Sequence, residues 1–357
     1  MQSSMTPQER LKKTLCHQQP DRPLIQIDVT PEIEKLLQYH CEQRFATRNF
    51  REIFEIDFCK VGPRLIKPRQ ESSSGIRVYA NEYGVYQDVV NMPLAWIKNM
   101  ADVEQFIPYN VPDAYDFSTI FEQCRSAAPH VRFVGAAGMF DIVNGLGARG
   151  IGLEELLCGI MSENPVTLAM IDKHLDYDYE YLRRCLEAGK GEIEVLFIGE
   201  DCANQRGPIF PPQFFKQFFA PRLRRFIDLA HRYGAACMLH SCGSVRLLLP
   251  VFIDIGLDIL DVCQPEPEGM DPEGLKLDFG KDITFCGMLS LQKTFPFGTV
   301  EECRIEAEHR INVIGKNGGY IFSSGNSLTK DVPIENIIAA YEVATGKILG
   351  PVLYPVN

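Results

Sequence analysis

The stretch Val195-Leu196-Phe197-Ile198-Gly199-Glu200-Asp201 decides the fold class, because an unbroken apolar run ends abruptly in two carboxylates. A parallel strand that is buried on both faces has a continuous apolar sequence of this kind. Seven further apolar runs recur at residues 24–29, 57–61, 131–135, 236–240, 258–262, 283–287 and 320–323. Most of the eight runs are followed by a helical pattern, as in folds that alternate strands and helices. Eight strands that alternate with helices predict an α/β fold, specifically a (β/α)8 TIM barrel.

One part of the chain departs from this alternation. Residues 64–112 contain two short β-type runs, 76–79 and 86–90, on either side of a turn sequence at 81–84. Such a pattern predicts a β-hairpin inserted after the second strand, and we expect it to lie over the barrel mouth. The remaining sequence fits one scaffold, so we expect residues 1–357 to form a single domain.

Composition narrows the function classes. The chain has 357 residues, of which 45% are hydrophobic and 23% charged, and these values are typical of a globular protein with a large core. Its net charge is −11, and no Lys/Arg-rich run is interleaved with aromatic residues, so we expect neither nucleic acid nor an anionic membrane as a partner. A polar start and the lack of a long apolar segment predict a soluble, cytoplasmic protein whose twelve cysteines are free thiols.

Several helix boundaries can be predicted from the sequence. Thr299 and Glu302 form a capping box before an apolar face that continues to Gly315. Asp331 should cap the last helix, with a proline in its first turn. Between residues 212 and 233 an apolar stripe includes Pro221, which should kink or divide the helix.

Polar residues collect where the predicted strands end. In a barrel of this type the ends of the strands and the loops that follow them line the active-site face. The residues nominated in this way are Asp28, Thr30, residues 135–138 with Asp141, Glu200, Asp201, residues 240–243, Gln264, Met288 and residues 323–326.

The sharpest local signal is Leu239-His240-Ser241-Cys242-Gly243-Ser244. An imidazole and a thiolate two residues apart can bind one borderline-soft cation such as zinc. The plain alternative is a buried histidine bonded to a neighbour, next to a small buried cysteine. The preceding strand ends in Glu200 and Asp201, which as a pair could also be a solvated loop edge. Their position after an apolar strand favours a metal ligand or a general acid/base, so Glu200, Asp201 and His240 are our candidate catalytic residues.

Other residues are candidates for binding the substrate. Arg206 could hold a carboxylate of the substrate or of a corrinoid, although a structural ion pair explains it equally well. Asp28, Tyr86, Gln264 and Asn326 complete this predicted substrate-binding set.

With these residues in place, the chain resembles the uroporphyrinogen decarboxylase superfamily over nearly its whole length. The resemblance rests on the Glu200-Asp201 strand end, on His240-Ser241-Cys242-Gly243, and on an ordered series of further motifs. These are Met5-Thr6-Pro7-Gln8-Glu9-Arg10, Asp21-Arg22-Pro23-Leu24, Glu82-Tyr83-Gly84-Val85, Gln264-Pro265-Glu266, Gly269-Met270-Asp271-Pro272, Pro296-Phe297-Gly298-Thr299 and Asp331-Val332-Pro333-Ile334-Glu335-Asn336.

The resemblance implies one of two chemistries: cofactor-free decarboxylation of porphyrinogens, or zinc- and corrinoid-dependent methyl transfer. The decarboxylases resemble one another in an arginine-rich segment after the first strand, but this chain has no arginine between Pro23 and Gln43. A strongly anionic porphyrinogen would therefore find no cationic clamp there.

The methyltransferase branch is similar through His240 and Cys242, which match two of its zinc ligands. Where that branch has a later cysteine, this chain has Asn326. The resemblance therefore leaves three candidates for the third ligand: Glu200, Asp201 and Cys286. It also leaves open that the metal is bound differently or not at all. Our metal set is His240, Cys242 and a carboxylate, for which Glu200 is the first choice.

Our hypothesis is a zinc-activated methyltransferase that moves a methyl group between a small donor and a corrinoid. The donor would be an aryl methyl ether, as in O-demethylation, or a methylated amine or thiol. We expect the corrinoid on a partner protein, because the chain lacks an Asp-X-His-X-X-Gly module. The resemblance also implies a homodimer. Two rivals remain: a metal-free decarboxylase or lyase of this fold that uses Asp28, Asp201 or Tyr86, and a non-catalytic ligand-binding relative.

Overall fold

Eight parallel strands form the centre of the molecule. The computed structural model describes residues 5–45, 49–67, 76–81, 84–89 and 92–353, and it describes side chains in all of these except 76–81 and 84–89. The eight strands, labelled in chain order, are β1 (Leu24–Ile25), β2 (Phe58–Lys60), β3 (Val131–Phe140), β4 (Val195–Gly199), β5 (Ala236–His240), β6 (Ile259–Cys263), β7 (Thr284–Leu289) and β8 (Tyr320–Ser324).

The strands form a nearly closed barrel. Each strand pairs in parallel with its neighbour along the chain from β2 to β8, and β8 pairs in parallel with β1. Between β1 and β2 the backbone N–H of Asp57 donates to the carbonyl of Ile25 at 2.9 Å. The Asp57 carboxylate also accepts the N–H of Ile25 at 2.7 Å, so side chain and backbone together join the two edges. The predicted TIM barrel is confirmed.

The predicted strand bounds agree with the structure best in the middle of the barrel. Strands β4 and β5 begin and end where the apolar runs do. Strand β1 is shorter than its run, and β3 continues past Gly135 to Phe140. Its register against β4 shifts between these two residues, so the extension is irregular.

Helices surround the barrel. The apolar cluster between strands and helices contains most of the buried side chains, and a second cluster, which includes Phe58, Val131 and Ile321, fills the barrel interior. The helical segments are Pro7–Leu15, Pro31–Phe45, Phe50–Ile53, Met100–Gln105, Pro112–Ala114, Ile120–Ala127, Ile142–Ile151, Leu153–Met161, Pro165–Gly189, Pro212–Arg232, Arg246–Leu248, Leu249–Asp254, Pro272–Phe279, Thr294–Phe297, Val300–Val313 and Ile334–Thr345.

The helix-end predictions had different outcomes. The capping box of Thr299 and Glu302 is confirmed, with the Thr299 side chain accepting the N–H of Glu302. The prediction that Asp331 caps the last helix is wrong. That helix begins after Pro333, and the Asp331 carboxylate instead accepts a hydrogen bond from the Thr329 hydroxyl. Pro221 does not divide its helix, which runs unbroken from Pro212 to Arg232.

The insertion contains the predicted hairpin. Strand Ile76–Asn81 pairs antiparallel with Gly84–Val89, which confirms a hairpin after the second barrel strand. At the base of the insertion, Arg64–Leu65 pairs antiparallel with Tyr115–Asp116, so its two ends lie side by side. That the insertion covers the barrel mouth, and that residues 1–357 form one domain, stay predictions.

Two further expectations concern the environment of the protein. All twelve cysteines lie within the described residues and are free. Across the described ranges, no helix has both the length and the apolar character that crossing a bilayer requires.

Candidate active site at the barrel rim

Three potential metal ligands meet where β4 and β5 end. Asp201 follows β4, His240 is the last residue of β5, and Cys242 follows two residues later. One ligand atom from each lies within 4.8 Å of the other two, and the distance from Cys242 Sγ to His240 Nε2 is 3.5 Å. These residues are half-buried at the rim, so the barrel brings together the nitrogen, sulfur and oxygen donors that the sequence suggested.

The imidazole of His240 is held by a carboxylate from the next strand. Its Nδ1 lies 2.8 Å from Oδ2 of Asp261, a residue of β6. Because Nδ1 faces Asp261, Nε2 is the ring nitrogen that faces Cys242 and would bind a metal once it has lost its proton. Burial alone would lower the pKa of His240, but the hydrogen bonds and charges of Asp261 and Cys242 raise this pKa well above its usual value.

The carboxylate of Asp201 bridges two segments of the rim. Its Oδ1 accepts the backbone N–H of Cys242 at 2.9 Å, and its Oδ2 accepts the side-chain amide of Asn144 at 2.7 Å. Each carboxylate oxygen has two lone pairs, so both oxygens can still bind a cation. Asp201 is thereby fixed next to the nitrogen and sulfur donors.

Glu200 lies differently from its neighbour in sequence. It is 1% exposed, and its two oxygens accept the backbone N–H groups of Ile142 at 2.8 Å and Val143 at 3.1 Å. Burial raises the pKa of Glu200 well above its usual value, with the charge of Asp141 adding to the effect. The oxygens of Glu200 thus bind the first turn of the segment Ile142–Ile151. The carboxylate that lies with His240 and Cys242 in the donor group is that of Asp201.

A cavity of about 210 Å³ opens beside the donor group. Arg149 and Asp141 form an ion pair on its wall, and burial raises the pKa of Asp141. Apart from Ala137 and Gly138 its lining is polar, with Asp141, Asn144, Arg149, Glu200, Asp201 and His240.

Sequence reasoning missed three residues of this site: Asn144, Arg149 and Asp261. Asn144 and Arg149 belong to the irregular helical segment Ile142–Ile151, which has no strand-end signature. Asp261 had a usable signal, because it is the one charged residue within the apolar run of β6.

The predicted substrate-binding residues lie at different places on the rim. The side-chain amide of Asn326 donates to Cys242 Sγ at 3.3 Å, and Gln264 Oε1 accepts the N–H of Gly243 at 2.9 Å. Asp28 accepts a hydrogen bond from the Ser327 hydroxyl. Arg206 is exposed and is not among the residues that line the cavity.

Two other candidate residues do not enter the donor group. Tyr86 lies on the hairpin, and its side chain is outside the described residues. Cys286 is fully buried within the barrel interior, where burial raises the pKa of its thiol well above the usual value.

A glycine shapes the loop that carries the cysteine. Gly243 has a φ of +89°, and a Cβ at this position would lie 2.7 Å from the carbonyl oxygen of Asn204. An L side chain fits neither this backbone conformation nor this close approach. The turn after Cys242 therefore depends on glycine.

The nitrogen and sulfur of the donor group are spaced as two zinc ligands are. Around tetrahedral zinc, a Zn–S bond of about 2.3 Å and a Zn–N bond of about 2.0 Å place sulfur and nitrogen about 3.5 Å apart. The observed separation of Cys242 Sγ and His240 Nε2 is 3.5 Å. Three protein donors leave a fourth position open, as in catalytic zinc sites, and the Asp261–His240 bond matches the carboxylate support that such ligands have.

Comparison with known proteins gives three findings. A family model described as Uroporphyrinogen decarboxylase (URO-D) matches residues 91–346. No curated protein sequence matches the chain significantly. Among solved structures, a methyltransferase from Methanosarcina mazei is similar in fold, with a TM-score of 0.66 and 16% sequence identity over 96% of this chain and 99% of that one.

Proposed function

The chain belongs to the uroporphyrinogen decarboxylase family, and from that premise we propose that it is a zinc-dependent methyltransferase acting between a small methyl donor and a corrinoid protein. The observation that carries this proposal is the grouping of Asp201, His240 and Cys242 at the rim, next to a polar cavity. The fold of the structurally similar methyltransferase is consistent with the proposal.

In the proposed mechanism the protein holds the metal ligands in place before the metal and the substrate bind. A bound zinc ion supplies Lewis acidity, which stabilises the negative charge that develops on the donor's leaving atom. Asp261 keeps His240 in one tautomer and orientation, and the N–H of Cys242 keeps the Asp201 carboxylate in place. Because these supports come from β6 and from the turn directly after β5, the donor atoms need little rearrangement on binding.

The cavity supports a small, polar methyl donor. Pockets for drug-sized ligands span about 300–1,000 Å³, whereas this one measures about 210 Å³. Asn144 and Arg149 supply N–H donors on its wall. We propose a methyl ether, amine or thiol that fits beside these groups, with Arg206 available further out on the exposed rim.

The methyl acceptor is proposed to be a corrinoid carried by a separate protein. The sequence contains no Asp-X-His-X-X-Gly motif of the kind that holds cobalamin. The donor group opens at the C-terminal ends of the strands, the face that TIM barrels use for catalysis. A partner protein that covered this face would bring its cobalt toward the donor's methyl group.

The segment after the first strand argues against porphyrinogen decarboxylation as the activity of this chain. Between Pro23 and Gln43 the chain has no arginine that could hold the carboxylates of a porphyrinogen.

The experiment that tests this proposal is methyl transfer to free cob(I)alamin. Zinc-loaded protein is mixed with candidate aryl methyl ethers and methylamines, and formation of methylcob(III)alamin is followed by absorbance. The Co(I) electron pair attacks the methyl carbon, the C–O or C–N bond breaks, and its electrons stay on the leaving oxygen or nitrogen, which takes a proton from water. We expect Cys242→Ala to lower the rate by at least about 100-fold.

Cys16→Ala is the matched control, because this cysteine is exposed and lies at the end of the first helix. Its rate should equal that of the wild type. Equal rates for Cys242→Ala and the wild type, or equal rates with and without zinc, would contradict the proposal. Loss of carbon dioxide from a carboxylate substrate without metal would favour the decarboxylase instead.

A further inference from the structure

We infer that Asn326 is a positioning residue that holds the Cys242 sulfur by an N–H···S hydrogen bond and does not itself bind the metal. The inference rests on the proposed zinc site and adds to it a fourth residue with a distinct task. It begins from the contact between Asn326 Nδ2 and Cys242 Sγ, which measures 3.3 Å.

The orientation of the Asn326 amide is fixed by its surroundings. Its Oδ1 accepts the backbone N–H of Ser327 at 2.7 Å, so the opposite end of the amide, the NH₂ group, faces Cys242. The backbone of Asn326 is held as well, since its carbonyl accepts the Ser324 hydroxyl at 2.6 Å. The bond from the Ser327 N–H assigns Oδ1 of the amide, and Nδ2 is then the atom that faces Cys242.

This orientation makes Asn326 a donor and not a ligand. An amide nitrogen has no lone pair available for zinc, and the amide oxygen points to Ser327. The metal would therefore have three protein donors, Asp201, His240 and Cys242, and its fourth position would stay open for the substrate.

The hydrogen bond also sets the direction of the sulfur. Cys242 Sγ lies 3.5 Å from His240 Nε2 on one side and 3.3 Å from Asn326 Nδ2 on the other. Asn326 thus holds the Cys242 side chain in the rotamer that faces His240.

Metal affinity and cobalt spectra of the full chain test the inference. Zn²⁺ affinity is measured by competition with a chelator, and Co²⁺ binding is followed through the sulfur-to-cobalt charge-transfer absorption. Asn326→Leu keeps the volume but cannot donate, and we expect its zinc affinity to fall by about tenfold. Asn326→Cys would add a second thiolate, so its charge-transfer absorption should roughly double and its zinc affinity should rise.

Ser327→Ala is the matched control, because it removes the hydroxyl that bonds Asp28 but keeps the backbone N–H that orients Asn326. Its zinc affinity should equal that of the wild type. If Asn326→Leu binds zinc as tightly as the wild type, or if Asn326→Cys leaves the cobalt spectrum unchanged, the inference is wrong while the proposed zinc site stands. If the wild type binds neither metal, the proposed function fails and the inference fails with it.

Discussion

Glu200 and Asp201 are neighbours in the chain but have opposite environments. Both oxygens of Glu200 accept buried backbone N–H groups, whereas Asp201 lies at the rim beside His240 and Cys242. The sequence predicts an acidic partner for the histidine and the cysteine. It could not predict which one, because the choice depends on the N–H groups of Ile142 and Val143, which reach this place only through tertiary folding.

A residue-scale prediction concerns the support of His240. Asp261→Asn removes the carboxylate that accepts the Nδ1 hydrogen, so the imidazole loses its fixed tautomer. We expect the affinity for Zn²⁺ to fall by about 10–100-fold, measured by chelator competition.

The matched control is Asp258→Asn. Asp258 also pairs with a histidine, His231, at 2.7 Å, but it precedes β6 at the end of the strand away from the donor group. Its replacement should leave zinc affinity unchanged. Equal losses in the two variants would show that Asp261 acts only through general stability.

At the scale of elements, the segment between β3 and the helix Leu153–Met161 builds one wall of the cavity. The irregular extension of β3 to Phe140 leads into Ile142–Ile151, which presents two backbone N–H groups to Glu200 and the side chains of Asn144 and Arg149 to the cavity. The apolar run at 131–135 predicts only the regular part of β3. The rest depends on contacts with a distant helix, which single-sequence patterns do not show.

That distant contact gives a prediction at the element scale. Asp178, buried in the helix Pro165–Gly189, accepts the N–H of Phe140 at 2.9 Å and the side-chain amide of Asn110 at 2.7 Å. Asp178→Ala leaves the N–H of Phe140 without its acceptor and removes the stronger of the two acceptors of the Asn110 amide, which keeps only Met139 Sδ; a buried donor without its partner costs about 1–3 kcal/mol. We expect the free energy of unfolding, measured in urea, to fall by at least about 2 kcal/mol.

Asp176→Ala provides the comparison on the same helix. Asp176 forms an exposed ion pair with Arg225, and exposed pairs contribute at most about 1 kcal/mol. A loss of stability in Asp178→Ala no larger than that in Asp176→Ala would contradict the assigned role of Asp178.

At the scale of the whole molecule, the barrel explains why scattered residues form one site. All eight strands run in parallel, so their carboxyl ends meet at the same rim. Asp201 and Cys242 are 41 positions apart in the chain, yet they are hydrogen-bonded there, next to His240. The eight apolar runs predicted this arrangement because each buried strand has its own local signature. The joining of β1 to β2 had no such signature, since it depends on the side chain of Asp57.

The fold could be predicted from local sequence patterns, whereas the contacts within the candidate site could not. Strand ends predicted where reactive residues gather, and His240 and Cys242 do lie together. The roles of Asp261, Asn144 and Asn326 are set by hydrogen bonds between elements, and such bonds leave no periodic pattern in the sequence.

The most direct test of the central claim is an anomalous difference map, recorded on either side of the zinc absorption edge, from crystals of the wild-type protein grown with zinc. The account predicts one strong peak about 2.0–2.3 Å from an oxygen of Asp201, Nε2 of His240 and Sγ of Cys242. The absence of any peak there, or a peak held by other residues instead, would contradict it.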